Sequence, residues 1–117
     1  MSLEKLNEFG GYRKSLELFD CVVDDMRKLR PYPETHRLIS QQIASADSIC
    51  SNMEEGAGRW SKKEYVQFVV ISRGSAAETR GRYLRMKTWL PKDIIEKRVA
   101  ICDEIIGILT STINKLK

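Results

Sequence analysis

Residues 38–58 read LISQQIASADSICSNMEEGAG, and this stretch decides the fold. Its central run, the fourteen residues from Ser40 to Met53, carries one charge, Asp47, and no proline or glycine, in a chain that is 31% charged. That composition does not suit a helix surrounded by water. At about 100° per residue, Ile39, Ile43, Ala46, Cys50, Met53 and Ala57 form one apolar stripe with the alternating spacing of a bundle seam. The opposite face holds Gln41, Ala44, Ser45, Ser48, Asn52 and Glu55, small or mostly neutral residues where Lys and Glu would be expected. Ser and Asn are weak helix formers, so a helix built from them relies on close neighbours. The stretch reads as a central helix packed on both sides.

Working outward, the whole chain reads as helix. Helix one is expected over residues 12–30, with Tyr12, Leu16, Phe19, Val23 and Met26 as its seam, and Pro31 and Pro33 stop it. Helix two covers 35–57 and ends around Gly56 and Gly58. Helix three covers 62–89: Ser61-Lys62-Lys63-Glu64 is a capping box, and its seam runs Tyr65, Phe68, Ser72, Ser75, Thr79, Tyr83 and Met86. Gly74 and Gly81 inside it mark either a close backbone approach or a tolerated weak spot. Helix four covers 92–116, with Pro91 suited to its first turn.

Short connections make successive helices antiparallel, so the chain of 117 residues is expected to be a single all-α domain, an up-down-up-down antiparallel four-helix bundle. Helix four carries more than a seam. Beside Ile95, Val99, Cys102, Ile106, Leu109, Ile113 and Leu116, the residues Ile94, Ile101, Ile105 and Ile108 widen its apolar arc to roughly 180°, against the ~100° that a surface helix needs. This arc predicts an oligomer interface, or else a helix sunk deeper into its own bundle.

Cys21, Cys50 and Cys102 form no CxxC pair, and two of them fall on apolar stripes, which fits reduced core thiols. No leader pattern and no apolar run near 18 residues are visible, so a soluble cytoplasmic protein with no membrane partner is expected.

Charge is uneven. Residues 59–98 hold eleven Lys/Arg against four Asp/Glu, a net of +7, while residues 1–58 carry a net of −3. Lys62, Arg73, Arg80 and Lys87 fall within about 40° of one another on the wheel, and Arg82 and Arg85 add charge on the far side. This column is either the footprint of a polyanion partner or a set of stems lying over the core. No aromatic platform is interleaved with it, so reading of single strands by stacking is not expected.

Catalytic chemistry is nearly absent. His36 stands alone beside a helix start, no metal-ligand spacing occurs, and Gly56-Ala57-Gly58 lacks the rest of a phosphate loop. Glu55 and Glu78 have no nucleophile beside them. With Asn52 and Arg73 they are expected to form a polar cluster that fixes helix register. The chain is read as no enzyme, with no cofactor, no metal and no catalytic residue.

Leu38, Gln41, Ser48-Ile49, Asn52, Glu55-Gly56, Arg59, Ser61-Lys62-Lys63-Glu64, Phe68, Arg73-Gly74-Ser75 and Glu78 together form a pattern. It resembles a bacterial family of four-helix bundles first noticed as proteins encoded within intervening sequences of large-subunit ribosomal RNA genes. The linked SI-x-x-N-x-x-EG and RGS-x-x-E motifs make Gln41, Ser48, Asn52, Glu55, Ser75 and Glu78 its structural polar residues. Ala44 stands where many members carry arginine, and Ser72 replaces a usual alanine. The resemblance implies a ring-like homo-oligomer, a pentamer. By analogy with the accessory variability determinant of diversity-generating retroelements, a related protein, it also implies binding to RNA or DNA and to a reverse transcriptase.

Two functions are therefore expected to compete. One is a homo-oligomeric adaptor that binds nucleic acid through Lys62, Arg73, Arg80, Arg82, Arg85 and Lys87. The other is a structural or protein-interaction scaffold. The pairing of those cations discriminates between them.

Overall fold

Four of the periodic segments become four long helices, and a fifth, short helix precedes them. All residues 1–117 are described in a computed structural model. The elements are α1 (Leu3–Glu8), α2 (Gly10–Arg27), a 3-10 turn (Pro33–Thr35), α3 (His36–Ala57), α4 (Lys62–Leu84) and α5 (Lys92–Leu116). Each long helix packs on its chain neighbours and α5 closes on α2, giving a four-cornered bundle of 45 × 21 × 20 Å. No helix is long and apolar enough to cross a membrane.

The ends are set by local chemistry. Ser61 Oγ accepts from the Glu64 backbone N–H at 3.1 Å and starts α4. The Thr35 hydroxyl reaches the carbonyls of Leu29 and Tyr32 at 2.7 Å, tying down the turn before α3. Gly58 caps α3 at φ −82°, and no residue of the chain has positive φ, so glycine marks this helix end without a left-handed cap. Gly56 has a different task. A Cβ there would lie 2.9 Å from Phe68 Cβ and 3.3 Å from Tyr65 Cδ1, so its absence lets α3 and α4 converge at their tight connection.

Several sequence expectations change. α1 is additional, helix one runs 10–27, and α4 stops at Leu84 where 89 was expected. Beyond Leu84 the bonds shorten to the i−3 type, Arg85 N–H to Arg82 O and Met86 N–H to Tyr83 O, and the turn folds Met86 and Leu90 beneath the core. Pro91 is the N-cap of α5 rather than its first helical residue.

The buried stripe of α2 is Tyr12, Ser15, Leu18, Val22, Asp25 and Met26: Tyr12 and Met26 of the expected seam hold, but between them the stripe is rotated by one residue, and Leu16 is exposed. Apolar periodicity missed this because Ser15 and Asp25 are polar. Both are satisfied inside: Ser15 donates to Gly11 O at 2.7 Å, and Asp25 meets partners from two other helices. On α5, Ile105 has no exposed surface and belongs to the chain's own core, so it is not available as an oligomer contact. Ile94, Ile101 and Ile108 are half-buried. The wide arc of α5 is filled because α2 and α4 flank it on two sides.

Candidate nucleic-acid interface

Small hydroxyl side chains line the contact between α3 and α4. Ser72 donates to Ile49 O at 2.9 Å, Ser75 donates to Ser48 Oγ at 2.9 Å, and Asn52 Nδ2 donates to the same oxygen at 2.9 Å. One turn along, Ser45 and Thr79 hydroxyls meet at 2.8 Å, and Gln42 Nε2 donates to Thr79 O at 2.9 Å. Short side chains let the backbones approach, and each polar atom finds a partner, as buried groups require. The middle of the neutral face, Ser45, Ser48 and Asn52, is therefore packed as its composition implied, while Ala44 and Glu55 at its margins are exposed. The buried amide is Gln42, however, while Gln41 is half-buried and makes no side-chain bond.

The expected cluster of Asn52, Glu55, Arg73 and Glu78 does not form. Glu55 pairs with Arg59, Glu78 lies 3.6 Å from Arg82, and Arg73 reaches Thr110 on α5 at 3.3 Å. The reason is their placement: Glu55 and Glu78 stand on solvent-facing positions of different turns.

The ionic cluster that does form was not anticipated. Asp25 is fully buried and accepts from Tyr83 Oη at 2.7 Å, from Arg98 Nε at 2.8 Å and from Arg98 Nη2 at 3.1 Å. It joins α2, α4 and α5. Burial and the bond to Asp25 push the Tyr83 phenol far above its ordinary value. The same carboxylate, chiefly by its hydrogen bonds, holds the Arg98 guanidinium more firmly protonated. Burial pushes the Cys50 and Cys102 thiols up to about 12, so both remain protonated core groups. Tyr12 rises to about 12 chiefly because it donates to Glu54 at 2.7 Å.

The basic residues of α4 divide into two sets. Arg80 Nε lies 2.6 Å from Asp103 on α5, in a pair that is still partly exposed. Arg82 is largely buried: Nη1 donates to Ser45 Oγ at 2.9 Å, and Nη2 faces Glu78. With Arg73 on Thr110, these three are tied to their own bundle. Lys62, Arg85 and Lys87 are exposed and form no ion pair. Lys87 lies beyond the end of α4, so the column is interrupted; its two free ends are separated by a helix about 35 Å long.

At the Lys62 end, the antiparallel topology gathers α1, the connection between α3 and α4, and the last turn of α5. They enclose an open cavity of about 470 Å³ lined by Lys5, Arg59, Trp60, Lys62, Tyr65 and Lys115, among others. Trp60 is fully exposed. Sequence reasoning found no aromatic among the basic residues because half of the cations around Trp60 come from the two chain termini; the run Arg59-Trp60-Ser61-Lys62-Lys63 was the available signal.

A family model described as 23S rRNA-intervening sequence protein matches residues 7–111. No curated protein matches the chain. A solved structure of a protein of unknown function, from the S23 ribosomal protein family of Bacteroides thetaiotaomicron, superposes with a TM-score of 0.81 at 24% identity. The match covers 88% of this chain and 97% of that one, and it bears on the fold alone. With a match that takes in all of α2, α3 and α4 and most of α5, the chain belongs to the 23S rRNA-intervening sequence protein family.

Proposed function

We propose that the protein is a non-enzymatic homo-oligomeric adaptor that holds nucleic acid by its phosphate backbone, with cations at the ends of the bundle making the contact. The distribution of unpaired cations carries this reading. Lys5, Lys62, Lys63, Lys115 and Lys117 cluster at one end, and Lys28, Arg30, Arg85, Lys87 and Lys97 at the other, with no carboxylate at ion-pair distance from any of them. Such charges are free to replace the counterions of a polyanion. The family's name places its genes in ribosomal RNA insertions, a setting that agrees with a nucleic-acid partner.

Oligomerisation is supported by α4 rather than by α5. Val70, Ile71 and Leu84 are exposed on its outward side, and Gly74 between them has open space beyond it. A second helix laid along that face would bury them. Several copies would then add weak phosphate contacts through multivalency.

The test is retention of a structured RNA as salt is raised from about 50 to 200 mM, where phosphate contacts lose affinity steeply. Lys62→Glu with Lys63→Glu, or Arg85→Glu with Lys87→Glu, is expected to reduce retention strongly. Arg80→Glu, whose partner Asp103 already neutralises it, is expected to reduce it less. Absence of salt-dependent retention at about 50 mM overturns the adaptor. The scaffold reading then takes its place, favoured by the apolar outward face of α4 and by the arginines held within the chain.

A further inference from the structure

The cavity beside Trp60 adds aromatic rings, which the backbone-binding reading does not use, to lysines that it does. Its polar lining includes Lys5, Arg59, Lys62 and Lys115 and no carboxylate, and Trp60 and Tyr65 supply two aromatic rings. Arg59 is held by Glu55 and sits over the Phe68 ring at 4.9 Å, leaving three free ammonium groups around one free indole. Trp60 is the most exposed large apolar side chain of the chain, so its indole face is free to receive a planar partner. The space of about 470 Å³ is within the ~300–1,000 Å³ typical of ligand sites.

We propose that this end of the bundle is a stacking subsite for one base of single-stranded nucleic acid, with Trp60 as the platform and Lys5, Lys62 and Lys115 holding the adjoining phosphates. The proposal rests on the backbone-binding reading and assigns strand selectivity to it. An indole stacks on any base, because every base has a π-face, so the site selects unpaired nucleotides without selecting sequence. In the first turn of α4 the N–H groups of Lys62 and Lys63 are left free, since Ser61 takes those of Glu64 and Tyr65. A second copy presenting the same cationic end would be repelled. An anionic membrane would meet the same lysines and indole, and vesicles are therefore a separate arm of the test.

Trp60 reports on its own site, since the only other tryptophan, Trp89, is half-buried at the opposite end. A mixed-sequence 12-nucleotide RNA is titrated into the full chain while indole emission is followed, beside the same sequence as a blunt duplex, heparin, and vesicles of phosphatidylserine and phosphatidylcholine. Single-stranded RNA is expected to quench Trp60. Trp60→Ala is expected to weaken single-strand binding roughly 5- to 150-fold, the range for loss of one stacked base, while Trp60→Phe retains most of it and circular dichroism is unchanged. Single-strand binding by Trp60→Ala within about twofold of wild type, or equal affinity for heparin and the single strand, overturns the stacking site while leaving backbone binding in place. A blue shift with vesicles and no response to RNA overturns it in favour of a lipid surface. Absence of any RNA binding by gel retention removes both readings.

Discussion

Asp25 shows how much one residue can decide. It sits in the last turn of α2 with no exposed surface, and three hydrogen bonds from Tyr83 and Arg98 surround its carboxylate. A buried pair of this kind adds little over a well-packed apolar alternative, yet removal of one partner is severe because the other charge is left without compensation. Arg98 is itself mostly buried, with 16% of its side chain exposed. Asp25→Ala is therefore expected to cost about 3–5 kcal/mol, read as a lower urea midpoint. Tyr83→Phe removes one bond to a charged acceptor and is expected to cost about 1.5–3 kcal/mol. If Asp25→Ala melts within error of wild type, the three-helix cluster is absent in solution. The cluster also explains the rotation of α2, since any other setting would carry Asp25 away from Arg98.

At the scale of the element, two glycines in neighbouring helices predict opposite responses to the same substitution. Gly56 lies where α3 and α4 converge, and its missing Cβ leaves room for Phe68 Cβ, an atom that moves only with its backbone. Gly56→Ala is expected to destabilise by about 1–3 kcal/mol through overpacking. Gly74 faces open space on α4, with no atom within 4 Å of the position a Cβ would take. Alanine there improves helix propensity by up to about 1 kcal/mol, so Gly74→Ala is expected to raise the thermal midpoint in a chain whose outward α4 face is unpaired. Equal effects at both positions would contradict the packing of α4. Of the two readings of Gly74, the tolerated weak spot is the one that fits within the chain, where no atom approaches it.

For the whole molecule, the apolar surface on α4 raises the question of assembly. Val70, Ile71 and Leu84 are between 39% and 49% exposed, whereas the isoleucines of α5 that suggested an interface are half-buried or inside the core. Val70→Glu with Ile71→Glu is expected to dissociate the proposed oligomer and leave the helix content unchanged, because neither side chain contributes to the buried core of its own chain. Light scattering checks this, with circular dichroism as control. A wild-type protein that is a folded monomer at micromolar concentration would end the oligomer reading. The same charges placed at Ile105 are expected to unfold the chain instead, since that residue is fully buried.

The four long helices, their antiparallel order and the packing of Ser45, Ser48 and Asn52 were legible in the sequence. Each is written in spacings of three and four residues, in prolines and glycines at the ends, and in the absence of charge where water was expected. The inner seam of α4 was legible for the same reason, from Tyr65 through Ser72, Ser75 and Thr79 to Tyr83, except that Val69 is buried in place of Phe68. The tertiary structure alone decided the rest: the rotation of α2 that buries Asp25, the capture of Arg73, Arg80 and Arg82 by their own bundle, the transfer of the open apolar face from α5 to α4, and the meeting of Trp60 with Lys5 and Lys115. These depend on which residues distant in the chain become neighbours. Periodicity records which way a side chain points from its own helix, but the partner that neutralises it or the cavity it closes comes from another helix, and no local spacing encodes that.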